Sequence, residues 1–370
     1  MTMRVMLAGG GTAGHVNPLL ATARELADRG HHVEVIGTAE GLESTLVPEA
    51  GFTLHTIPKV PIPRRPSKDL LTVPTRLRAA VTTVGNLLTN QDVLIGFGGY
   101  VSAPAYIAAV RHELPFVVQE QNVRPGWANR LGARNAAAVS LSFPQTVLAA
   151  KKGKTVITGL PLRRSIVDLA DQRENEEGAW KAREKAAVAF GLDPHRPILV
   201  VTGGSLGAQH LNEVIVEGAG DLAKHAQLLH VTGTGKSDAV VAASERHPEM
   251  TWVVREYVAD METALAAADL VLCRSGAGTV AELGALGLPA FYVPLPIGNG
   301  EQKLNAEQQI AAGGALLVED KDFTVRTLRD EVIPLIADPL RLQKMGAANR
   351  STSRGNGAKL VADLVEEVRS

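Results

Sequence analysis

A single cysteine in 370 residues, Cys273, excludes an intrachain disulfide and a cysteine-based metal cluster. It sits in the apolar run Leu270-Val271-Leu272-Cys273, where a buried structural thiol is expected. Neither sign of charge is in excess. The 38 basic and 39 acidic side chains leave a net charge of −1, which gives no uniform field for nucleic acid. Long apolar runs are also missing: none approaches the ~18 residues of a spanning helix. The N-terminus has no long apolar region with a cleavage site, and Val5 to Ala8 reads as a first strand. These absences predict a cytosolic protein that touches a membrane only from outside. No pair of acids placed for metal binding is evident.

What is present is apolar and rich in turns. Hydrophobic residues make up 45% of the chain, with 36 Gly and 20 Pro, as in a globular protein. A chain of 370 residues exceeds one comfortable core, so two domains are expected. The pattern that organises it is a strand, a glycine turn and a helix. Met6-Leu7-Ala8 enters Gly9-Gly10-Gly11-Thr12-Ala13-Gly14-His15, and a helix is expected from about Asn17 to Arg29. Val33 to Gly37, Phe52 to Ile57, Asp92 to Ile95, Phe116 to Val118, Ala137 to Leu141 and Thr155 to Ile157 read as further strands. A boundary follows at Gly159-Leu160-Pro161-Leu162-Arg163. Asp168 to Lys185, with interleaved charges, reads as a solvated helix or linker. The pattern then restarts: Ile198 to Thr202 enters Gly203-Gly204-Ser205-Leu206-Gly207-Ala208 and a helix through Leu211, Val214 and Ile215. Short apolar strands alternating with helices predict parallel sheets covered on both faces. The expected fold is α/β, two doubly wound domains facing each other across a cleft, with ligands beyond the carboxyl ends of the strands.

Each motif has a chemical and a bland reading. Gly9, Gly11 and Gly14 satisfy G-x-G-x-x-G, but the acid expected about 20 residues on, Glu34, falls inside a strand, which weakens a nicotinamide site. His15 is the side chain at this turn that can exchange a proton near neutrality, or else a packing residue. Gly203 to Gly207 lacks the Lys-Ser/Thr of a P-loop yet can cradle a diphosphate with backbone N–H groups and the Ser205 hydroxyl. Its alternative is a tight turn with no ligand. Arg274-Ser275-Gly276-Ala277-Gly278-Thr279-Val280-Ala281-Glu282 opens another helix and puts a carboxylate about two turns in, where it can accept from a ribose diol. Gly300 to Ala306 adds the amides of Gln302 and Asn305, suited to sugar hydroxyls or to a polar helix start. From Lys59 to Arg78 the basic residues Lys59, Arg64, Arg65, Lys68, Arg76 and Arg78 mix with Leu70, Leu71 and Leu77. With Val81, Val84 and Leu88 these recur at helical spacing, and Pro74 is expected to break or kink the helix. The segment reads either as a contact with an anionic membrane surface or as an amphipathic helix packed on its own domain.

Together these stretches resemble the MurG family, the membrane-associated N-acetylglucosaminyltransferases of peptidoglycan synthesis. The likeness runs nearly end to end, through Gly10 to His15, Gly98-Gly99-Tyr100-Val101-Ser102, Glu120-Gln121-Asn122, Gly203 to Ala208, Arg274 to Ala277, and Gln302 with Asn305. It implies a GT-B glycosyltransferase fold of two Rossmann-like domains: residues 1–162 for the acceptor and membrane, residues 163–354 for the donor, with the helix of 355–370 returning to the first. It implies inverting transfer of GlcNAc from UDP-GlcNAc to the MurNAc 4-hydroxyl of lipid I, giving lipid II, at the cytoplasmic face of the cell membrane. UDP-GlcNAc is then a substrate, no cofactor or obligatory metal is expected, and cell-wall synthesis and division proteins are candidate partners.

For the base the expectation is His15, whose ordinary pKa of ~6.5 leaves it largely neutral at cellular pH, with Glu120 as rival. The resemblance assigns Thr12, Ala13, Gly14 and Asn122 to the sugar side of the donor. Arg163, Gly204, Ser205, Val258, Ala277, Gly278, Thr279, Glu282 and Gln302 are to hold the rest of it, Val258 through its backbone. Gly11, Gly98, Gly99, Tyr100 and Ser102 are to meet the acceptor, and Lys59, Arg64, Arg65, Lys68, Leu70, Leu71 and Leu77 the membrane. The chain departs from the family pattern at Ala13 (often glycine), Leu160 (commonly asparagine) and Gly278 (a larger apolar residue). A UDP-GlcNAc 2-epimerase of the same fold and a non-catalytic nucleotide-binding membrane scaffold remain as alternatives, with a nicotinamide-dependent oxidoreductase ranked below both.

Overall fold

The structure, a computed structural model, describes residues 2–60, 73–204, 207–296 and 300–369. Its contacts divide the chain into two units, Met1–Arg163 with Arg354–Ser370, and Arg164–Ser353.

The first unit is built on a parallel sheet of β1 (Arg4–Ala8), β2 (His32–Gly37), β3 (Thr53–Thr56), β4 (Val93–Gly96), β5 (Phe116–Glu120), β6 (Ala138–Leu141) and β7 (Lys154–Ile157). The order is β3-β2-β1-β4-β5-β6-β7. Chain order reverses between β1 and β4, and at such a point the loops leaving two adjacent strands diverge and open a crevice. Both faces of the sheet are covered, which is why β1 is apolar and buried from Val5 to Ala8. Met6 and Ala8 join one core with Leu94, Val118 and Val139, while Val5 and Leu7 join another with Ile95 and Val117. The second core is sealed by Ala362, Leu364 and Val365 of the helix Gly357–Arg369. Arg29 also bonds Asp363 at 2.7 Å, and His31 bonds Glu366 at 2.9 Å. Burying a leucine or valine stabilises by about 1.5–3 kcal/mol, against about 0–1 kcal/mol for an exposed ion pair. Packing therefore outweighs charge in holding this helix.

The second unit repeats the plan with β8 (Ile198–Thr202), β9 (Gln227–Val231), β10 (Trp252–Arg255), β11 (Leu270–Cys273), β12 (Ala290–Tyr292) and β13 (Ala315–Leu317), in the order β10-β9-β8-β11-β12-β13. Here the reversal lies between β8 and β11. Cys273 is buried in β11, and burial raises its thiol pKa far above the ordinary range, so it is an inert core residue.

Two local expectations are corrected, and the charged stretch read as a solvated helix or linker is helical. The first helix runs from Ala13 to Asp28 and contains Pro18, instead of starting beside it. The amides of His15 and Val16 both close on the Thr12 carbonyl, so the helix is under way before Pro18, and the missing N–H leaves only the Gly14 carbonyl without its donor. Pro74 lies within the helix described over Val73–Leu88, which continues past it unbroken to Leu88. The charged stretch after the boundary forms two helices, Arg164–Gln172, which buries Ile166 and Leu169, and Glu176–Phe190, which buries Ala186 and Ala187.

Candidate active site

In the first unit the loops after β1 and β4 meet at the reversal point. Gly11, Gly98 and Gly99 all have positive φ. At Gly99 a Cβ would stand 2.8 Å from the Gly10 carbonyl, so the two loops approach too closely for any side chain there. Thr12 takes the helix N-cap geometry, but its hydroxyl lies 3.0 Å from Nδ1 of His15 instead of capping a backbone amide. The amides of Ala13 and Gly14 precede the first helical bonds. His15 is half-buried, and its Nε2 would lie 3.3 Å from a Cβ on Gly98, so the ring stands over the second glycine loop. Burial lowers its pKa below the ordinary 6.5, opposed by the negative charge of Glu43. The imidazole is thus neutral near pH 7, as a proton acceptor must be.

Glu43 gave no signal in the sequence. Its side chain is fully buried in a cage of glycines: a Cβ on Gly10, Gly37 or Gly41 would fall 2.0–2.5 Å from it. One carboxylate oxygen accepts from the Gly11 amide at 2.8 Å. The other accepts from the Thr38 amide and hydroxyl at 2.9 and 2.7 Å. Burial alone would raise its pKa, but these donors outweigh it and hold the group below the usual carboxylate range. A fixed anion therefore underlies the first glycine loop and acts on His15. No motif could reveal it, because the Gly11 amide it holds lies 32 residues away in the chain.

Other first-unit expectations separate. The Glu120 carboxylate is 1% exposed and accepts from the amides of Asn122 (3.0 Å) and Gly126 (3.1 Å) and from the Asn129 side chain (2.9 Å). It builds the turn that presents half-buried Asn122, so it is occupied as a structural acceptor where His15 is not. Ser102 is fully buried, with its hydroxyl 2.9 Å from the Ala8 carbonyl and 2.8 Å from the Gly98 carbonyl. It ties the two loops together and does not face an acceptor. Tyr100 is exposed at the loop, and the Lys59 ammonium lies 5.8 Å from its ring centroid. Leu77 packs against the core on the same stripe as Val81, Val84 and Leu88, while Arg76 and Arg78 are exposed. That face of the helix is therefore internal, which corrects the expectation that Leu77 meets a membrane. Arg64, Arg65, Lys68, Leu70 and Leu71 lie outside the described residues, as does Ser205. Glu34 bonds His55 and Gln91 from within β2, which leaves no acid at the strand end where a nicotinamide ribose needs one.

In the second unit the loops after β8 and β11 likewise leave the reversal point. Gly203 is closely packed, since a Cβ would lie 2.2 Å from the Ala208 amide, whereas Gly204 is exposed with positive φ and nothing near it. The Gly204 amide meets Thr202 Oγ1 at 3.2 Å. Gly276 caps the helix Ala277–Leu286, and Gly278 faces open space in its first turn beside half-buried Thr279. Half-buried Glu282 follows one turn after Gly278 on the same helix face. Gln302, at the start of the helix Glu301–Ala312, accepts from the Leu295 amide at 2.9 Å, which orients its carboxamide. Val258 is half-buried in the segment between β10 and the helix Met261–Ala267. Arg274 is not a free ligand: Nη1 donates to the carbonyls of Val293 (2.9 Å) and Pro294 (3.0 Å) and pairs with Asp320. Arg163 ends the first of the two chain segments that make up the first unit. Among the described residues no group of three His, Cys, Asp or Glu side chains is placed to hold a metal ion.

Residues 5–141 match the glycosyltransferase family 28 N-terminal domain, and residues 198–365 match the glycosyltransferase family 28 C-terminal domain. Relatives span both. A protein of Bifidobacterium adolescentis is 48% identical over 363 residues, covering 93% of this chain and 92% of its own length. One of a Nocardioides species is 49% identical over 372 residues, covering 99% and 98%. Both carry the name UDP-N-acetylglucosamine--N-acetylmuramyl-(pentapeptide) pyrophosphoryl-undecaprenol N-acetylglucosamine transferase. Among solved structures, that of Acinetobacter baumannii MurG is similar with a TM-score of 0.79 and 27% identity, covering 99% of each chain.

Proposed function

The chain belongs to the MurG family of family 28 glycosyltransferases, and from that premise we propose that it transfers GlcNAc from UDP-GlcNAc to the MurNAc 4-hydroxyl of lipid I, forming lipid II. The observation that carries this reading is the 48–49% identity, sustained over nearly the whole length, to proteins named for that transfer.

The residue roles follow from chemistry. In an inverting displacement the acceptor oxygen forms a bond to the sugar C1 while the bond from C1 to the diphosphate oxygen breaks. The acceptor proton goes to a base and the electron pair leaves with UDP. His15 is the base, its Nδ1 held by Thr12 and Nε2 left to take the proton. Glu120 supports the turn that presents Asn122 to the sugar. The backbone of Gly204 and the loop to Ala208 cradle the diphosphate with Ser205, and Arg163 offsets its growing charge. Ala277, Gly278 and Thr279 bring amides to the nucleotide, and Glu282 accepts from the ribose diol. Gln302 and the Val258 backbone complete the donor contacts, while Gly11, Gly98, Gly99 and Tyr100 receive the acceptor.

Incubation with labelled UDP-GlcNAc and a short-chain lipid I analogue tests the transfer by disaccharide formation. Epimerised sugar formed without acceptor favours an epimerase instead, and nucleotide binding without turnover favours a scaffold. No helix among the described residues is long and apolar enough to cross a membrane. Lys59, Arg64, Arg65, Lys68, Leu70 and Leu71 are the proposed contact with the anionic cytoplasmic surface. Charge reversal at Arg64 and Arg65 should release the protein from anionic vesicles, and full retention would remove that assignment.

A further inference from the structure

The second unit holds a cavity of about 690 Å³ away from its glycine loops. Pro197, Asp269 and Pro289, which precede β8, β11 and β12, line it, so it opens at the amino ends of the strands, opposite the ends from which the glycine loops leave. Arg173 and Arg350 are among the residues of its wall. Arg173 Nε and Arg350 Nη2 donate to the same carbonyl, that of Leu286, at 2.9 and 3.1 Å. Gly287 makes room for this, since a Cβ there would stand 2.8 Å from Arg350 Nε.

A bland account is that both arginines cap the end of the helix Ala277–Leu286. That end carries only about half a negative charge, and two guanidiniums exceed it. The half-buried acid that lines the cavity is spent elsewhere: Asp269 binds Arg183 through both oxygens, at 2.7 and 2.8 Å. Glu174 and Glu176 also line the cavity but are exposed to solvent. Neither Arg173 nor Arg350 makes an ion pair among the described residues. Burial and the charges of Arg350 and Arg183 pull the Arg173 pKa down to about 10, an effect that the nearby Asp269 charge only partly opposes.

We propose that this cavity is a second anion site, distinct from the loop after β8, which takes a small phosphate-bearing ligand through the free guanidinium donors of Arg173 and Arg350. Two planar forks beside one another match phosphate oxygens better than the single carbonyl they share.

Calorimetric titration of the full-length chain with inorganic diphosphate, at low salt, tests this with and without saturating UDP. UDP silences the other loop, and its own affinity is measured separately, so failure of the donor-site reading is seen independently. Diphosphate binding should persist under UDP. In the Arg173→Gln/Arg350→Gln double variant, which keeps donors for the Leu286 carbonyl, that binding should weaken ~10-fold or more while UDP affinity is unchanged. Gln343→Glu adds a carboxylate at an exposed lining position without touching either arginine, and should weaken it ~3-fold or more. Binding wholly abolished by UDP, or UDP-insensitive binding equal in wild type and variants, would overturn the proposal.

Discussion

The loops after β1 and β8 share one plan, strand, glycines and helix, yet differ in what lies beneath them. Under the first is the buried carboxylate of Glu43, which takes the Gly11 amide for itself. Under the second the amides meet neutral partners, Gly204 with the Thr202 hydroxyl and Gly207 with the Gly204 carbonyl. Among the described residues, an anion brought to the first loop meets a fixed negative charge, while one brought to the second does not. On the proposed assignment the same backbone motif serves a base beside a hydroxyl in one place and a diphosphate in the other. A glycine loop sets how closely a ligand approaches, and the groups behind it set the sign of charge it tolerates.

The comparison breaks most readily at His15. On the proposed assignment His15→Ala removes the base, so kcat should fall about 10²–10⁴-fold while UDP affinity, measured by titration, stays within twofold. An unchanged kcat would reduce the first loop to a packing device. Gly207→Ala should act on the other side. Gly207 has φ of +66° and a Cβ would lie 2.6 Å from the Thr232 carbonyl. A loss of roughly 1–3 kcal/mol in folding stability is expected, read as a lower Tm together with weaker UDP binding. Wild-type values of both would mean that the second loop tolerates a looser backbone than its geometry indicates.

Much of this was legible in the sequence because parallel strands buried on both faces are short apolar runs, and each glycine motif follows one. His15 was legible as the titratable side chain at such a turn. Direction was not. The spacing of Leu77, Val81, Val84 and Leu88 fixes that they share a helix face, and only packing tells that the face points inward. Ser102 follows Gly98-Gly99-Tyr100 in the same motif, yet its hydroxyl turns to the Ala8 and Gly98 carbonyls. Glu43 and the pairing of Arg173 with Arg350 were invisible for a common reason, since each depends on partners from distant segments meeting at one point.

Glu43 sharpens the comparison through pH. His15 has a pKa below 6.5, so activity should hold near pH 7 and fall as acidification protonates the base. The Glu43 charge favours the imidazolium, so Glu43→Gln should lower the His15 pKa further and move the acidic limb of kcat to lower pH. A limb that moves upward would contradict the coupling. Glu43 itself has a folded pKa below its unfolded 4.5. Its contribution to stability is therefore present above about pH 4.5 and lost as pH falls through the folded value. The variant should accordingly lose less stability than wild type on acidification.

The smallest effect is expected at Gly278, and its smallness is useful. The glycine sits in the first turn of the helix Ala277–Leu286 with no atom within 4 Å of an added Cβ and no positive φ. Gly278→Ala should therefore leave the fold intact or stabilise it by about 0.4–1 kcal/mol, since alanine loses less backbone entropy on folding. Any change in KM for UDP-GlcNAc then reports the ligand side of this helix start alone, free of the folding loss that accompanies Gly207→Ala. A raised KM with an unchanged or higher Tm places the nucleotide against Gly278. An unchanged KM moves the donor contacts along the helix toward Thr279 and Glu282.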